Sequence, residues 1–294
     1  MSNGTIGRYL SLTKPGVLFG NVVTGIAGFC LASANRHLFD AGLFVATIGG
    51  MTLVIAAACT LNNVLDQDID KIMARTRARA VASGTVSAER AWSFAVLLGV
   101  SGLAVLGLWT NLLVVAIGVL GFIIYVWLYG ALSKRRSIHG TLVGSLSGAA
   151  PILAGYVAVR GHIDAGAILV FLALFFWQFP EFFAIAIYRE QEYAAAGVPV
   201  ITVMKGVPYT KWRIAVYALL FVISALLLTP LGYAGYTYLA VMALVCAWWL
   251  WLAAKGFRAA GEEQSNAWAR RMFHASINVL LIYSFLIAIG SLLP

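Results

Sequence analysis

The sequence predicts an all-α polytopic membrane protein with nine transmembrane helices. Three observations carry that prediction. Of its 294 residues, 62% are hydrophobic and only 11% are charged, against about 25% charged in an ordinary soluble domain. Apolar runs long enough to cross a bilayer recur along the whole chain. Lys and Arg crowd into alternate links between those runs, as the positive-inside rule requires. The net charge of +9 follows from this loop distribution and does not point to nucleic acid.

Taken in order, the spans fall at roughly 16–34, 41–63, 91–108, 111–130, 141–159, 165–188, 213–234, 236–254 and 272–293. The stretch Met1 to Leu10 is short and polar, so the first apolar run is expected to stay as a membrane helix rather than be cleaved as a leader. The brief links at Trp109-Thr110 and Ala234-Gly235 imply tight hairpins. Of the 20 Lys and Arg residues, only Arg36 and Arg160 fall in the odd-numbered links. The others lie in the N-terminal segment and the even-numbered links. That pattern puts the N-terminus in the cytoplasm and the C-terminus outside. The two richest polar loops, about 65–90 and 189–212, are four spans apart and therefore share the cytoplasmic face, a spacing that hints at a parallel internal repeat. The chain is expected to form one integral membrane domain, residues 1–294.

Cys30, Cys59 and Cys246 are scattered in apolar runs and read as small buried hydrophobes, without disulfide or zinc spacing. His37, His139, His162 and His274 show no ligand spacing either.

The chemistry concentrates after the second span, in Asn62-Asn63-Val64-Leu65-Asp66-Gln67-Asp68-Ile69-Asp70. Asn62, Asp66 and Asp70 recur every four residues, so on a helix they share one stripe about 12 Å long, and Asp68 points away. Two aspartates at this spacing repel unless a cation joins them. Hard carboxylate and amide oxygens suit Mg²⁺, which keeps waters and bridges to substrate phosphates. A solvated acidic cap closing a membrane helix is the plainer alternative. Basic residues, including Arg75 and Arg79, follow directly.

The second constellation ends the sixth span: Trp177-Gln178-Phe179-Pro180-Glu181-Phe182-Phe183, then Arg189-Glu190-Gln191-Glu192-Tyr193. Pro180 should kink the helix. Glu181 is the one acid well inside an apolar run, about 10 Å below its cytoplasmic end. An intramembrane carboxylate usually faces a cavity or a partner. Its plainer reading is a protonated acid bonded to Gln178 or to a carbonyl freed by Pro180. Glu192 is a candidate ligand across from Asp66 and Asp70. Lys134, Arg135 and Arg136 serve topology or hold anionic groups of a substrate. Lys14 and Asn21 at the start of the first span are weaker candidates.

Together these motifs resemble the UbiA-type intramembrane prenyltransferases, over essentially the whole chain. The haem O synthase branch is the nearer likeness. It rests on Thr13-Lys14-Pro15-Gly16, Asn62 through Asp70, and Met73-x-Arg75-Thr76-x2-Arg79. It rests also on Lys134-Arg135 with Gly140 to Pro151, on Trp177-Gln178-x-Pro180, and on Tyr193-x2-Ala196-Gly197-Val198-Pro199. Two positions depart from the branch: Glu181 stands where it has His, and Glu192 where it has Asp.

The resemblance implies a fold of nine helices around a central intramembrane cavity, in a bacterial inner membrane, with the site toward the cytoplasm. It implies transfer of a farnesyl group from farnesyl diphosphate to a vinyl group of haem B, with addition of water, giving haem O. Mg²⁺ would be held by Asn62, Asp66, Asp70 and Glu192, and the diphosphate by Arg75, Arg79, Lys134, Arg135 and Arg189. Trp177, Gln178, Glu181 and Asn21 would line the acceptor pocket, with Phe179, Phe182 and Phe183 shielding the allylic cation. Cytochrome oxidase or haem A synthase assembly factors are the implied partners besides the bilayer. The alternatives are a quinone-precursor or other aromatic acceptor, a membrane haem carrier, or a transporter. A transporter would favour charges near the bilayer centre, whereas these acids lie at one face.

Overall fold

The computed structural model describes residues 4–34 and 39–290. Arg36, His37 and Pro294 lie outside the described residues. Among the described residues all regular structure is helical, since a chain crossing lipid must satisfy its backbone polar groups within each segment.

A short helix, α1 (Thr5–Leu12), precedes the first span, α2 (Pro15–Ala34). Between them Lys14 adopts φ 52°, a left-handed conformation costing a non-glycine residue on the order of 1 kcal/mol. Pro15 then opens α2, where a missing N–H costs nothing. The second span, α3 (Ala41–Leu65), is capped by Asp40, which accepts from Leu43 N–H at 2.9 Å. It leads through Asp66 into the short α4 (Gln67–Ile72). Next come α5 (Ala88–Trp109) and α6 (Leu112–Ile123), joined by the expected tight link, with Asn111 capping α6 through Val114 N–H. The fourth span continues past α6 as a π-helical stretch, Ile124–Ser133, and finishes in α7 (Lys134–Arg136).

The fifth span is broken into α8 (Gly140–Gly148) and α9 (Ala150–Arg160), with Pro151 in the first turn of the second piece. The sixth is α10 (Ala165–Tyr188), followed by the short α11 (Glu190–Ala195). Helix α10 runs through Pro180 without interruption. The last three spans are α12 (Ile201–Leu226), α13 (Tyr236–Lys255) and α14 (Gly261–Ile289).

Nine helices among the described residues are long and apolar enough to cross a membrane, so the number of spans stands. Two boundaries do not. The seventh span was expected at 213–234, but the helix occupies Ile201–Leu226, interrupted at Gly206 (φ 80°, ψ 165°). The ninth was expected at 272–293, but it begins at Gly261, and its polar first turns carry Glu262 and Glu263 where the helix dipole favours acids. A hydropathy window reads membrane depth, whereas a helix closes its own backbone hydrogen bonds and can continue past that depth.

Contacts run in a closed circuit: α2 touches α3, α3 the π stretch, the π stretch α8, α8 α10, α10 α14, and α14 α2. Helix α9 touches α2, α3, α6 and α10, so it closes the ring toward the end away from Asp66. The seam between α2 and α9 brings backbone against backbone. A Cβ on Gly28 would stand 2.1 Å from Ile152 O, and one on Gly155 would stand 2.1 Å from Gly25 O. Small residues at such seams let backbones approach in lipid, where helix association rests on close packing. On the outside, Phe19, Trp92, Leu112, Trp127 and Phe285 are exposed, as lipid-facing residues should be.

Candidate active site

The acidic stripe is real and buried. Asp66 N–H donates to Asn62 O at 3.0 Å and Asp70 N–H to Asp66 O at 2.8 Å, so the four-residue ladder passes through the break between α3 and α4. Asn62, Asp66 and Asp70 are 2%, 0% and 3% exposed. Asp68 turns to the surface, as its position on the helix requires.

Each member of the stripe is met by a different cation from a different element. Lys14 donates to Asn62 Oδ1. Lys134 Nζ lies 2.5 Å from Asp66 Oδ2. Arg79 Nη1 donates to both Asp70 oxygens, at 2.9 and 2.8 Å. The π stretch brings Lys134 there, and Gly130 within it lies directly against Asn62. Tyr125 and Tyr129, with ring centroids 5.8 Å apart, stand on the same stretch within electrostatic reach of Asp66. The ammonium of Lys14 is pulled down to about 8, chiefly by burial, with Arg79 and Lys134 adding to the effect.

Asn63 fixes the neighbouring backbone by donating to Leu12 O at 2.7 Å. The loop after α4 folds back, and Ile69 and Met73 pack against Tyr193, Ala196 and Val198. The two polar loops expected on one face are therefore in contact.

Several expected site residues stand elsewhere. Arg135 makes a two-pronged pair with exposed Asp68 at 2.7 Å and reaches Leu65 O. It holds the Asp68 carboxyl well below the usual carboxylate range and is not directed at the buried stripe. An exposed pair of this kind contributes at most about 1 kcal/mol. Arg135→Gln is therefore expected to change prenyl transfer less than about threefold, as read by initial rate, and a loss as large as that of Arg79→Gln would return it to the diphosphate site.

Arg189 pairs with Glu192 at 2.5 Å. Both line a separate cleft of about 580 Å³ with Lys211, Glu262 and Asn266. Glu192 does not join Asp66 and Asp70. Among the described residues no three His, Cys, Asp or Glu side chains group closely enough to hold a metal ion. Arg75 is exposed, and its charge is felt at Tyr193.

Trp177 spends its indole N–H on Ser276 O at 2.7 Å, and Gln178 donates to Ser145 O and Leu174 O at 3.0 and 2.9 Å. These bonds fasten α10 to α14 and α8 and use the Trp177 N–H and the Gln178 amide nitrogen, leaving the Gln178 amide oxygen as an acceptor. Phe179 and Phe183 pack on Tyr217 of α12, Phe179 stacked at 3.8 Å, on the side of α10 away from the ring. Phe182 is 43% exposed. The three do not form a shield around a cavity. Asn21 is half-buried, its amide bonded to Val17 O.

Glu181 differs from all of these. Among the described residues it has no hydrogen-bond or ion-pair partner, neither Gln178 nor a carbonyl freed by Pro180. A helix turns about 100° per residue. Glu181 therefore lies about 40° round from Trp177 and about 60° back from Gln178. It looks between α14 and α8, into the space enclosed by the ring.

Mg²⁺ can be tested against these residues. Asp66 Oδ1 is a buried carboxylate oxygen without a partner, an acceptor a hard cation would satisfy. Asp66, Asp70 and Asn62 thus fit a water-rich Mg²⁺ site; Glu192 Oε2 is likewise buried without a partner, but Glu192 does not group with the two aspartates. Lys14, a weaker candidate in the sequence, stands directly on the stripe, and Tyr125 and Tyr129 join it there without having been candidates. The Lys14-Pro15 junction was a weak signal for the first, and nothing in the spacing marked the two tyrosines.

Residues 21–277 match the model of the UbiA prenyltransferase family. The chain is 43% identical over 289 residues to the protoheme IX farnesyltransferase of Yersinia enterocolitica, covering 98% of this chain and 96% of that one. It is 43% identical, with the same coverage, to the protoheme IX farnesyltransferase of Pectobacterium carotovorum. Among solved structures it resembles a digeranylgeranylglyceryl phosphate synthase (TM-score 0.79, 19% identity, covering 97% of this chain and 98% of that one). It also resembles a UbiA homologue from Archaeoglobus fulgidus bound to DMAPP and Mg²⁺ (TM-score 0.74, 16% identity, covering 96% and 99%). At such identities the structural likeness speaks for the fold alone.

Proposed function

The chain belongs to the UbiA prenyltransferase family, and from that premise we propose that it transfers a farnesyl group from farnesyl diphosphate to a vinyl group of haem B, with addition of water, as one unit spanning residues 1–294. The observation that carries the reading is the buried stripe of Asn62, Asp66 and Asp70 overhung by Lys14, Arg79 and Lys134, each from a different element. Opposite charges collected at one membrane face suit a diphosphate head, and the helical ring behind it suits an apolar tail.

Asp66 and Asp70, with Asn62, would hold Mg²⁺, which when bound supplies positive charge to the leaving diphosphate. The residues do the rest. Lys14, Lys134 and Arg79 end flexible stems, so the cations that neutralise the stripe can turn to the diphosphate oxygens and hold them as the allylic C–O bond breaks. Tyr125 and Tyr129 border this end of the site. The clasp of Ile69 and Met73 on Val198 limits water above it. The acceptor enters the space bounded by α2, α8, α10 and α14.

Purified protein incubated with haem B, farnesyl diphosphate and Mg²⁺ should yield a pigment heavier than haem B by one farnesyl group and the elements of water. A phenolic acceptor prenylated in preference to haem B would overturn the choice of substrate.

The stripe and the basic loops also fix orientation in this reading, with the site facing the cytoplasm of a bacterial inner membrane. In a background lacking Cys30, Cys59 and Cys246, cysteines placed at Arg77, Lys205 and Glu262 should react only with reagent on the cytoplasmic side. Those at Asp40 and Asp164 should react from outside. External labelling at Arg77 would reverse the topology.

A further inference from the structure

Water is a reactant in the proposed transfer, yet the stripe at the membrane face handles only the diphosphate. Something deeper must receive the proton that the water gives up. Among the described residues Glu181 is the one acid well inside a membrane-spanning helix. Glu181 lies seven residues before Tyr188, the end of α10, or about 10 Å below that face. The N–H donors beside it on α10 are already used. Gln178 is fixed to Ser145 O and Leu174 O, and Trp177 to Ser276 O. Glu181 itself has no partner among the described residues, and it is only partly buried. An unpartnered carboxylate in apolar surroundings recruits water, because burying it bare is costly.

Resting on the prenyl-transfer reading, we infer that Glu181 binds the reacting water and is the base that takes its proton. The farnesyl C1–O bond breaks and its electron pair leaves with the diphosphate. The vinyl π pair forms the new C–C bond to C1, which leaves a cation on the vinyl carbon next to the porphyrin ring. The oxygen of the water held by Glu181 bonds to that carbon, and the excess proton passes to the Glu181 carboxylate, from which it returns to solvent. Placing the base deep in the ring keeps this water away from the farnesyl cation at the acidic stripe until the C–C bond has formed. Without the base, the same cation can lose a neighbouring proton instead and end as an alkene. The product itself therefore records whether Glu181 works.

The test uses the full-length protein and Glu181→Gln, which keeps size and hydrogen bonding but accepts no proton, with Glu181→Asp as the conservative partner. Haem B affinity is read by absorbance titration and products by mass. The expected result is haem affinity within about threefold of the parent for both variants. Formation of the hydrated product should fall at least about tenfold in Glu181→Gln, with its product shifted toward a species one water lighter than that of the parent. Glu181→Asp should restore the hydrated product in part. Hydrated product at the parental rate from Glu181→Gln would overturn the assignment. Loss of haem affinity with product hydration unchanged would overturn it too, because Glu181 would then only bind haem. If the parent protein prenylates no haem at all, the proposed function fails instead, which separates the two readings.

Discussion

Asp66→Asn is expected to lower farnesyl transfer by about a thousandfold while leaving the protein folded. The substitution keeps the shape of a fully buried side chain and removes its charge. Two things go with that charge: the attraction that draws Lys134 to within 2.5 Å of Asp66, and the free carboxylate oxygen on which a metal would bind. Asp70→Asn should behave similarly through loss of the Arg79 pair. Chelation of divalent ions with EDTA should silence the parent protein to the same degree, and Mg²⁺ should restore it. Glu192→Gln is the informative comparison. Its carboxylate faces Arg189 and the separate cleft, so its loss should cost less than about tenfold. The rate of pigment formation, alongside a size-exclusion profile, measures all of these. Full activity in Asp66→Asn, or indifference to EDTA, would remove the stripe from the mechanism.

The largest effect on stability should come from a residue far from the chemistry. Gly28→Val is expected to destabilise the fold by about 3 kcal/mol or more. A Cβ there would stand 2.1 Å from the carbonyl oxygen of Ile152 and 3.0 Å from its carbon. That neighbour is backbone inside α9 and cannot rotate away, so α2 and α9 must separate along a seam that closes the ring. Gly49→Ala is the control: nothing lies within 4 Å of a Cβ at that position, and the change should stay within about 0.5 kcal/mol. Thermal unfolding in detergent distinguishes the two. Equal melting temperatures for Gly28→Val and the parent would mean that the α2–α9 seam is not tight.

The class of the molecule, the nine spans found among the described residues and the acidic stripe were all legible in the sequence. These properties are local. A run of apolar residues reports its own transfer energy, and a four-residue spacing reports one face of a helix whatever surrounds it. Asn62, Asp66 and Asp70 could be read as a unit because the ladder of α3 carries almost unbroken into α4.

The partners of that unit were decided only in three dimensions. Lys134 and Arg135 are adjacent in sequence, and both carry a positive charge. The turn of the helix sends Lys134 to buried Asp66 and Arg135 to exposed Asp68, so one belongs to the site and the other to the surface. Lys14 is far from Asn62 in sequence and reaches it because the chain bends left-handed before Pro15. Glu192 resembles a third ligand in the sequence, but tertiary packing turns it toward Arg189 and another cleft. Trp177, Gln178, Phe179 and Phe183 carry strong motif character, yet their hydrogen bonds and ring contacts are structural. Glu181, between them on the same helix, is left without a partner among the described residues. Which side chains are spent on packing and which remain free depends on what lies across the helix interface, and one chain's local pattern holds no record of that.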